Sequence, residues 1–262
     1  MKASTIPIET VLPLAARGVL SLVGGGGKTS LMFHLARLLT GQGRKVLTTT
    51  TTKIFVPAAG ESATVLVDKD PLAILPQAAA ALELTGHVTA AARHIDGGKL
   101  KGFEPEAIQV FADSGLFDWI LVEADGSARR PLKAPDDHEP VIPANSSIVV
   151  AVAGLEVLGR PLTEELVFRA DLAGERMGLR EREIITEAAL ARLIAHPLGF
   201  FKGAPRTAAR FVFLNKADDA LRREAASNVA VHLQQSPAPV ADAVLTGQAL
   251  GLITIHSVCP LR

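Results

Sequence analysis

Residues 19–30 read Val-Leu-Ser-Leu-Val-Gly-Gly-Gly-Gly-Lys-Thr-Ser: a short apolar run, four glycines, then Lys-Thr-Ser opening an amphipathic stretch. A segment of this kind belongs at a strand-to-helix turn of an α/β sheet. Gly24, Gly25, Gly26 and Gly27 remove every Cβ where the chain bends, so backbone N–H groups can converge on an anion. Lys28 supplies a point charge for β- and γ-phosphates and Thr29 a hydroxyl for magnesium. Ser30 follows in the first turn of a helix whose dipole favours anions. The strict pattern G-x-x-x-x-G-K-[ST] puts glycine at position 22, where this chain has Leu22. The order is nearer the G-G-x-G-K-[ST] variant. The segment predicts a phosphate site for a nucleotide, GTP or ATP. A glycine-rich surface turn is the alternative, and it accounts for neither the Lys-Thr pair nor the flanking strand and helix.

The remainder alternates strand and helix signals. Val19–Val23 is a strand, followed by a helix with Leu31, Leu35, Leu38 and Leu39 on one face, ending near Gly41 and Gly43. Lys45–Thr51 is a second strand, completing a parallel, right-handed βαβ unit. Short strands at Thr64–Asp68 and His87–Ala91 flank an alanine-rich helix near 72–84. Pro105–Ser114 reads as a helix, and Trp119–Ala124 and Ser147–Ala153 as buried strands. Residues 154–208 break this rhythm, with helical stretches near 163–172 and 186–196 and few strand signals. They read as an α-helical insertion between core segments 1–153 and 209–262. Arg210–Leu214 returns to strand, Ala220–Gln234 is helical, and Ala243–Leu245 and Leu252–Ser257 are closing strands. The alternation argues for an open, mostly parallel, doubly wound sheet with helices on both faces.

Composition narrows the function classes. Hydrophobic residues are 48% of the 262 and aromatics 4%, which suits an aliphatic parallel sheet covered on both faces. Lys plus Arg and Asp plus Glu each number 27, so there is no net basic footprint for nucleic acid. The single cysteine, Cys259, excludes an internal disulfide and is read as structural. It suits a reducing cytoplasm. No signal peptide is legible, and no run approaches the roughly 18 apolar residues of a membrane span.

Further constellations sit where strands are expected to end. Glu123 and Asp125 follow the apolar run Trp119–Val122, and ligands of such sheets bind beyond the carboxyl ends of the strands. One carboxylate would hold Mg²⁺ and the other orient a water, with Gly126 allowing close approach to a γ-phosphate. The plain alternative is an Asp-Gly turn. Thr48–Thr52 and Lys53 end the second strand. β-Branching explains most of that run, but Thr51 and Thr52 could meet Mg²⁺ or the γ-phosphate and Lys53 a second anion. Asn215-Lys216-Ala217-Asp218 matches N-K-x-D: Asp218 would accept from guanine N–H groups, Asn215 anchor the loop and Lys216 lie over the base. Thr246 and Gly247 would complete the pocket. The alternative there is a solvated helix start. Residues 128–143 carry Arg129, Arg130, Lys133, Asp136, Asp137, His138 and Glu139; a solvated loop is the default, and a substrate or lid role for Lys133, His138 and Glu139 is the alternative. The Lys202–Pro205 turn is a further ligand-facing candidate, and no His or Cys spacing suggests zinc.

Taken together, Gly24–Thr29, Thr49–Ile54, Glu123–Ser127, Pro131–Pro140 and Asn215–Asp218 resemble the selenium-dependent hydroxylase accessory protein family, over about residues 15 to 250. More broadly the chain is similar to the P-loop NTPase class that holds the nickel-insertion GTPases of hydrogenase and urease maturation, which use Glu-x-x-Gly as Glu123 to Gly126 do here. The resemblance implies a P-loop NTPase fold and a role in maturing molybdenum-containing hydroxylases, with the hydroxylase or its cofactor-maturation proteins as partners and a homodimer as a possible assembly. Three activities fit: a Mg²⁺-dependent hydrolase acting as an accessory factor, a small-molecule kinase or nucleotidyltransferase with its acceptor at Arg129, Lys133, His138 and Glu139, or a nucleotide-gated binding module.

Overall fold

The computed structural model describes residues 5–249, 251 and 253–261. The first half of the chain forms β1 (Gly18–Gly24), α1 (Lys28–Gly41), β2 (Val46–Thr50), β3 (Lys53–Phe55), β4 (Val65–Val67), α2 (Pro71–Thr85), β5 (His87–Ala91), β6 (Arg93–Ile95), β7 (Lys99–Lys101), α3 (Ala107–Asp113) and β8 (Trp119–Glu123). The second half forms β9 (Leu132–Lys133), β10 (Ile148–Gly154), β11 (Val167–Phe168), α4 (Ala170–Met177), α5 (Glu187–Ala195), β12 (Ala209–Asn215), α6 (Ala220–Gln234), β13 (Ala243–Gln248) and β14 (Thr254–Pro260).

Nine strands make one sheet in the order β14-β13-β12-β10-β1-β8-β2-β5-β4, parallel throughout except for β14 against β13. Side chains alternate across this sheet with period two. Leu20 and Leu22 of β1 pack under α1 with Ile148, Val150, Phe211 and Phe213. Val19 faces the other way, into a core with α2 and α3, while Val23 joins Val149, Ala151, Val212 and Leu214 beneath α4, α5 and α6. The sheet is therefore covered on both faces, and its central strands are apolar on both sides. Helix α5 starts where Thr186 accepts from Ala189 N–H, and α6 where Asp219 accepts from Arg222 N–H.

Several boundaries move. β1 and β2 are parallel, but β8 lies between them. The second strand stops at Thr50, because Thr51 and Thr52 bend the chain into β3. The helix expected over 163–172 starts only at Ala170: Val167–Phe168 pair with β9, and Arg169 takes a left-handed backbone, φ 61°, that a helix interior does not accommodate. Helix α4 then ends at Gly178, φ 68°. Residues 155–201 contribute Leu155, Val157, Leu162, Leu190, Ile194 and Phe200 to one core with the sheet. β14 runs over Thr254–Pro260, and Leu252, where the closing strand was expected to begin, lies outside the described residues. Unforeseen from the sequence is a three-stranded antiparallel sheet, β3-β7-β6, standing beside the end of β2.

Candidate nucleotide site

Parallel pairing brings the carboxyl ends of β1, β8, β10, β2 and β12 to one edge. Leu22 and Thr50 are both level with Glu123, Gly24 with Val152, and Gly154 with Asn215. At that edge the chain leaves β1 through the four glycines and enters α1, whose first turn has no side-chain cap. The tightness of this turn explains its composition. Gly27 has φ 129°, and a Cβ there would fall on the Asn215 Nδ2 group. A Cβ on Gly25 would lie 2.9 Å from Arg130 O. Gly26 N–H donates to Arg130 O (3.1 Å) and Gly26 O accepts from Asn215 Nδ2 (2.6 Å), so the glycine loop is clamped between residues 130–132 and the end of β12.

Lys28 is buried and held three ways. Its Nζ donates to Gly24 O (2.6 Å), lies 2.9 Å from Asp125 Oδ1 and 3.7 Å from Glu123 Oε1. Burial opposes its charge, but the Asp125 and Glu123 carboxylates outweigh burial and hold its pKa above the ordinary lysine value. Glu123 accepts from the Thr29 hydroxyl (2.7 Å); burial pushes its pKa up against the pull of Lys28. Asp125 is fully buried. It accepts from Gly24 N–H (2.9 Å) and lies 3.4 Å from Lys133 Nζ. Glu123 lines the cleft described below, whereas Asp125 sits behind Lys28.

Residues 131–140 are no solvated loop. Lys133 has no exposed surface; it donates to Gly126 O (2.8 Å) and to Glu139 Oε2 (2.6 Å), and Glu139 also accepts from Arg169. Burial would raise the Glu139 pKa, but Arg169 and Lys133 outweigh it and hold that pKa below the usual carboxylate range. β9 pairs with β11, Arg176 donates to Pro135 O (2.6 Å), and Lys202 donates to Asp136 O and Asp137 O at 2.7 Å each. The Lys202–Pro205 turn therefore braces this segment from behind. The sequence suggested a loop because charges dominate residues 128–139; the fold instead pairs and buries Lys133 and Glu139, while Arg129, Asp137 and His138 stay exposed.

A cleft of about 730 Å³ opens over this edge. Gly26, Gly27, Lys28, Thr29, Ser30, Thr51, Thr52, Lys53, Glu123, Gly126, His138 and Lys216 all line it, so the structure brings together most of the residues singled out from the sequence. The Thr51 hydroxyl donates to Val141 O (2.7 Å), and Thr52 N–H donates to Thr50 Oγ1 (3.0 Å). On the β12 side, Asn215 Oδ1 accepts from Lys216 N–H and from Ala249 N–H (2.9 Å), and Lys216 pairs with Glu156. Asp218 is exposed and pairs with Arg222 (2.9 Å). Thr246 is buried in β13 next to a bulge at Gly247, and Gly247 O accepts from Ala217 N–H (3.0 Å). Asp218, Thr246 and Gly247 lie beyond the cleft lining.

Sequence reasoning passed over Phe55, Lys99, Lys101, Phe168 and Arg169, which line the cleft as well. A signal existed for two of them: Asp96-Gly97-Gly98 between Arg93–Ile95 and Lys99–Lys101 is a hairpin pattern. Arg169 had none, because its place follows from the β9–β11 pairing.

A family model described as YqeC protein matches residues 20–171. The chain is also 40% identical over 240 residues to the uncharacterized protein YqeC of Escherichia coli (strain K12), covering 90% of this chain and 91% of that protein. The chain belongs to the YqeC family. Similar solved structures include chloroplast FtsY from Physcomitrella patens, 16% identical with a TM-score of 0.41 over 94% of this chain and 62% of that one. HypB from Helicobacter pylori, solved in complex with nickel, is 12% identical with a TM-score of 0.39 over 92% of this chain and 82% of that one. The family match spans the glycine loop, Glu123, Asp125 and the Lys133–Glu139 segment. Among the described residues no group of three or more His, Cys, Asp and Glu could hold a metal ion, and no helix is long and apolar enough to cross a membrane.

Proposed function

We propose that this cleft binds a magnesium–nucleoside triphosphate and hydrolyses it, and that the protein uses this cycle as a cytoplasmic accessory factor in maturing a molybdenum-containing, selenium-dependent hydroxylase. The observation that carries the nucleotide reading is the contact of Thr29 and Lys28 with Glu123 and Asp125 at the foot of a glycine turn leading into an uncapped helix. The donor set fits magnesium: the Thr29 hydroxyl and the buried Glu123 carboxylate are hard oxygens already within hydrogen-bond distance of one another. Thr29 and Glu123 would hold the ion, which when bound neutralises phosphate oxygens. Lys28 leaves Gly24 O and Asp125 to meet the phosphates. Asp125 acts as a positioning residue, keeping Gly24 N–H and Lys133 in place while Lys28 moves. Base recognition falls to the β12 side, where Asn215 ties the glycine loop to the turn carrying Lys216 and Asp218; the N-K-x-D order favours GTP over ATP.

Calorimetric titration with non-hydrolysable GTP and ATP analogues in Mg²⁺ tests the site. Binding of GTP in preference to ATP is expected, with both lost in Lys28→Ala and the preference lost in Asp218→Asn. Phosphate release that is unchanged in Lys28→Ala would sink the hydrolase reading. The client reading is tested separately: a strain lacking this protein should lose molybdenum hydroxylase activity, and full activity there would remove it.

A further inference from the structure

The chain as a whole is electrically neutral, but its cleft is not: eight lysines and arginines line it against three glutamates. The cations divide by position. Lys28, Arg169 and Lys216 are paired with carboxylates. Lys53, Lys99 and Arg129 pair with no carboxylate among the described residues, and they lie at the β2 end, where the β3-β7-β6 sheet forms a wall; Arg130 lies instead over Phe168 of β11. Phe55 projects there, 39% exposed, with the Arg129 guanidinium 4.0 Å and the Lys99 ammonium 5.0 Å from its ring centre. Glycine 102 lets this wall approach the edge of the main sheet, since Gly102 N–H donates to Thr52 O and Phe103 N–H to Thr50 O, both at 3.0 Å.

The ends of β12 and β2 are four strand spacings of about 4.8 Å apart, roughly 19 Å, with the glycine loop midway. A nucleotide whose phosphates sit on that loop and whose base turns toward Lys216 leaves the β2 end open. Its own γ-phosphate needs Lys28 and the helix N-terminus, not three further cations beside an aromatic ring.

We propose that the β2 end of the cleft is a second binding site, for a planar small molecule carrying several negative charges. Its ring lies against Phe55 and the Arg129 guanidinium, and its anionic groups meet Lys53 and Lys99. Lys101, 3.8 Å from Glu104, closes the far side. This site rests on the nucleotide reading only for its orientation; its charge and its aromatic wall stand without it. Bound there, the second ligand faces the γ-phosphate end of the nucleotide, so that hydrolysis is coupled to its capture or release.

Pyranine, a planar trisulfonated pyrene, is a direct probe, and its fluorescence reports binding to the full chain. Saturable binding at one equivalent is expected, retained when a non-hydrolysable GTP analogue and Mg²⁺ are present in saturating amounts. Phe55→Ala and, separately, the charge reversals Lys53→Glu and Lys99→Glu should each weaken it tenfold or more, while Lys28→Ala leaves it within twofold. Unchanged affinity in all three β2-end variants would overturn the proposal. So would competitive displacement by the GTP analogue, which would make Phe55 part of the nucleotide's own pocket. Failure of the wild type to bind either nucleotide, with pyranine binding still dependent on Phe55, would overturn the hydrolase reading and leave this one standing.

Discussion

Two groups of cations meet at one cleft and solve opposite problems. Lys28, Lys133 and Arg169 are drawn inside and each meets a carboxylate: Asp125 and Glu123 for the first, Glu139 for the other two. Lys53, Lys99 and Arg129 stand a few ångströms further out with no carboxylate partner among the described residues. A charge withdrawn from water must be compensated by the protein, whereas an exposed one is compensated by solvent at little cost. The inner group therefore belongs to the fold as much as to the site, and the outer group is free to be used by a ligand. Position relative to the sheet edge, not residue type, separates them.

The sharpest way to break this distinction is Lys133→Met. It keeps the length of the side chain but takes one of two cations from each of the buried carboxylates Asp125 and Glu139. Lys28 and Arg169 remain, so the loss should lie toward the low end of the about 3–5 kcal/mol that breaking a buried ion pair costs. Urea denaturation at neutral pH should show that loss. A loss below about 1 kcal/mol would mean the inner network is no more structural than the rim.

His87 offers a third solution to burial, neutrality instead of pairing. It lies at the start of β5, its Nε2 2.9 Å from the Thr48 hydroxyl and its ring edge-on to Phe33. Burial lowers its pKa from 6.5 to about 4. The unfolded chain thus takes up this proton near pH 6.5 and the folded chain only near 4. The resulting stability is complete above pH 6.5 and is lost as the pH falls toward 4, by roughly 3 kcal/mol. Unfolding free energies at pH 7 and pH 4.5 should differ by less in His87→Gln than in the wild type by about that amount. Equal differences would show that His87 is not held neutral.

Gly27→Ala probes the seam between the two groups. With φ 129° and Asn215 Nδ2 where the new methyl would go, the loop must relax and Asn215 must release Gly26 O. Strain at such a backbone costs about 1–3 kcal/mol, and a thermal melt should register it. Affinity for a nucleotide analogue should fall more steeply than stability if, as proposed above, the displaced backbone holds the phosphates.

What was legible beforehand follows the range of the forces involved. Continuous apolar runs and helical spacing are local, so β1, β8, β10, β12, α5 and α6 were readable to within a residue or two. The glycine loop and Glu123 were readable because strand ends in a parallel sheet share an edge. The inner network was not: Lys133 looked like one more charge in a polar run. Only the β9–β11 pairing, residues 132–133 against 167–168, reveals that it is buried. Arg169 joins it through a left-handed backbone that no local preference announces. The β3-β7-β6 wall was half legible, since its Asp-Gly-Gly turn is a local signal while its place beside β2 depends on the close approach at Gly102.

The smallest effect is expected at Lys53, and it is the most instructive because of its size. Lys53 lies in β3, exposed, with no ion pair among the described residues. Lys53→Ala therefore leaves no partner stranded and should change the unfolding free energy by less than about 0.5 kcal/mol, the ordinary range for a surface position. Reversing it to glutamate should cost little more, because the residue directly opposite it in β7 is a cation, Lys101. A urea titration of Lys53→Ala beside Lys133→Met thus sets a lysine of the cleft wall against one buried behind the cleft under identical conditions. A difference of several kilocalories between them would establish that the inner charges hold the fold and the outer ones are spared that duty. A shared large loss would place Lys53 inside the network and leave the β2 end without free charge for a ligand.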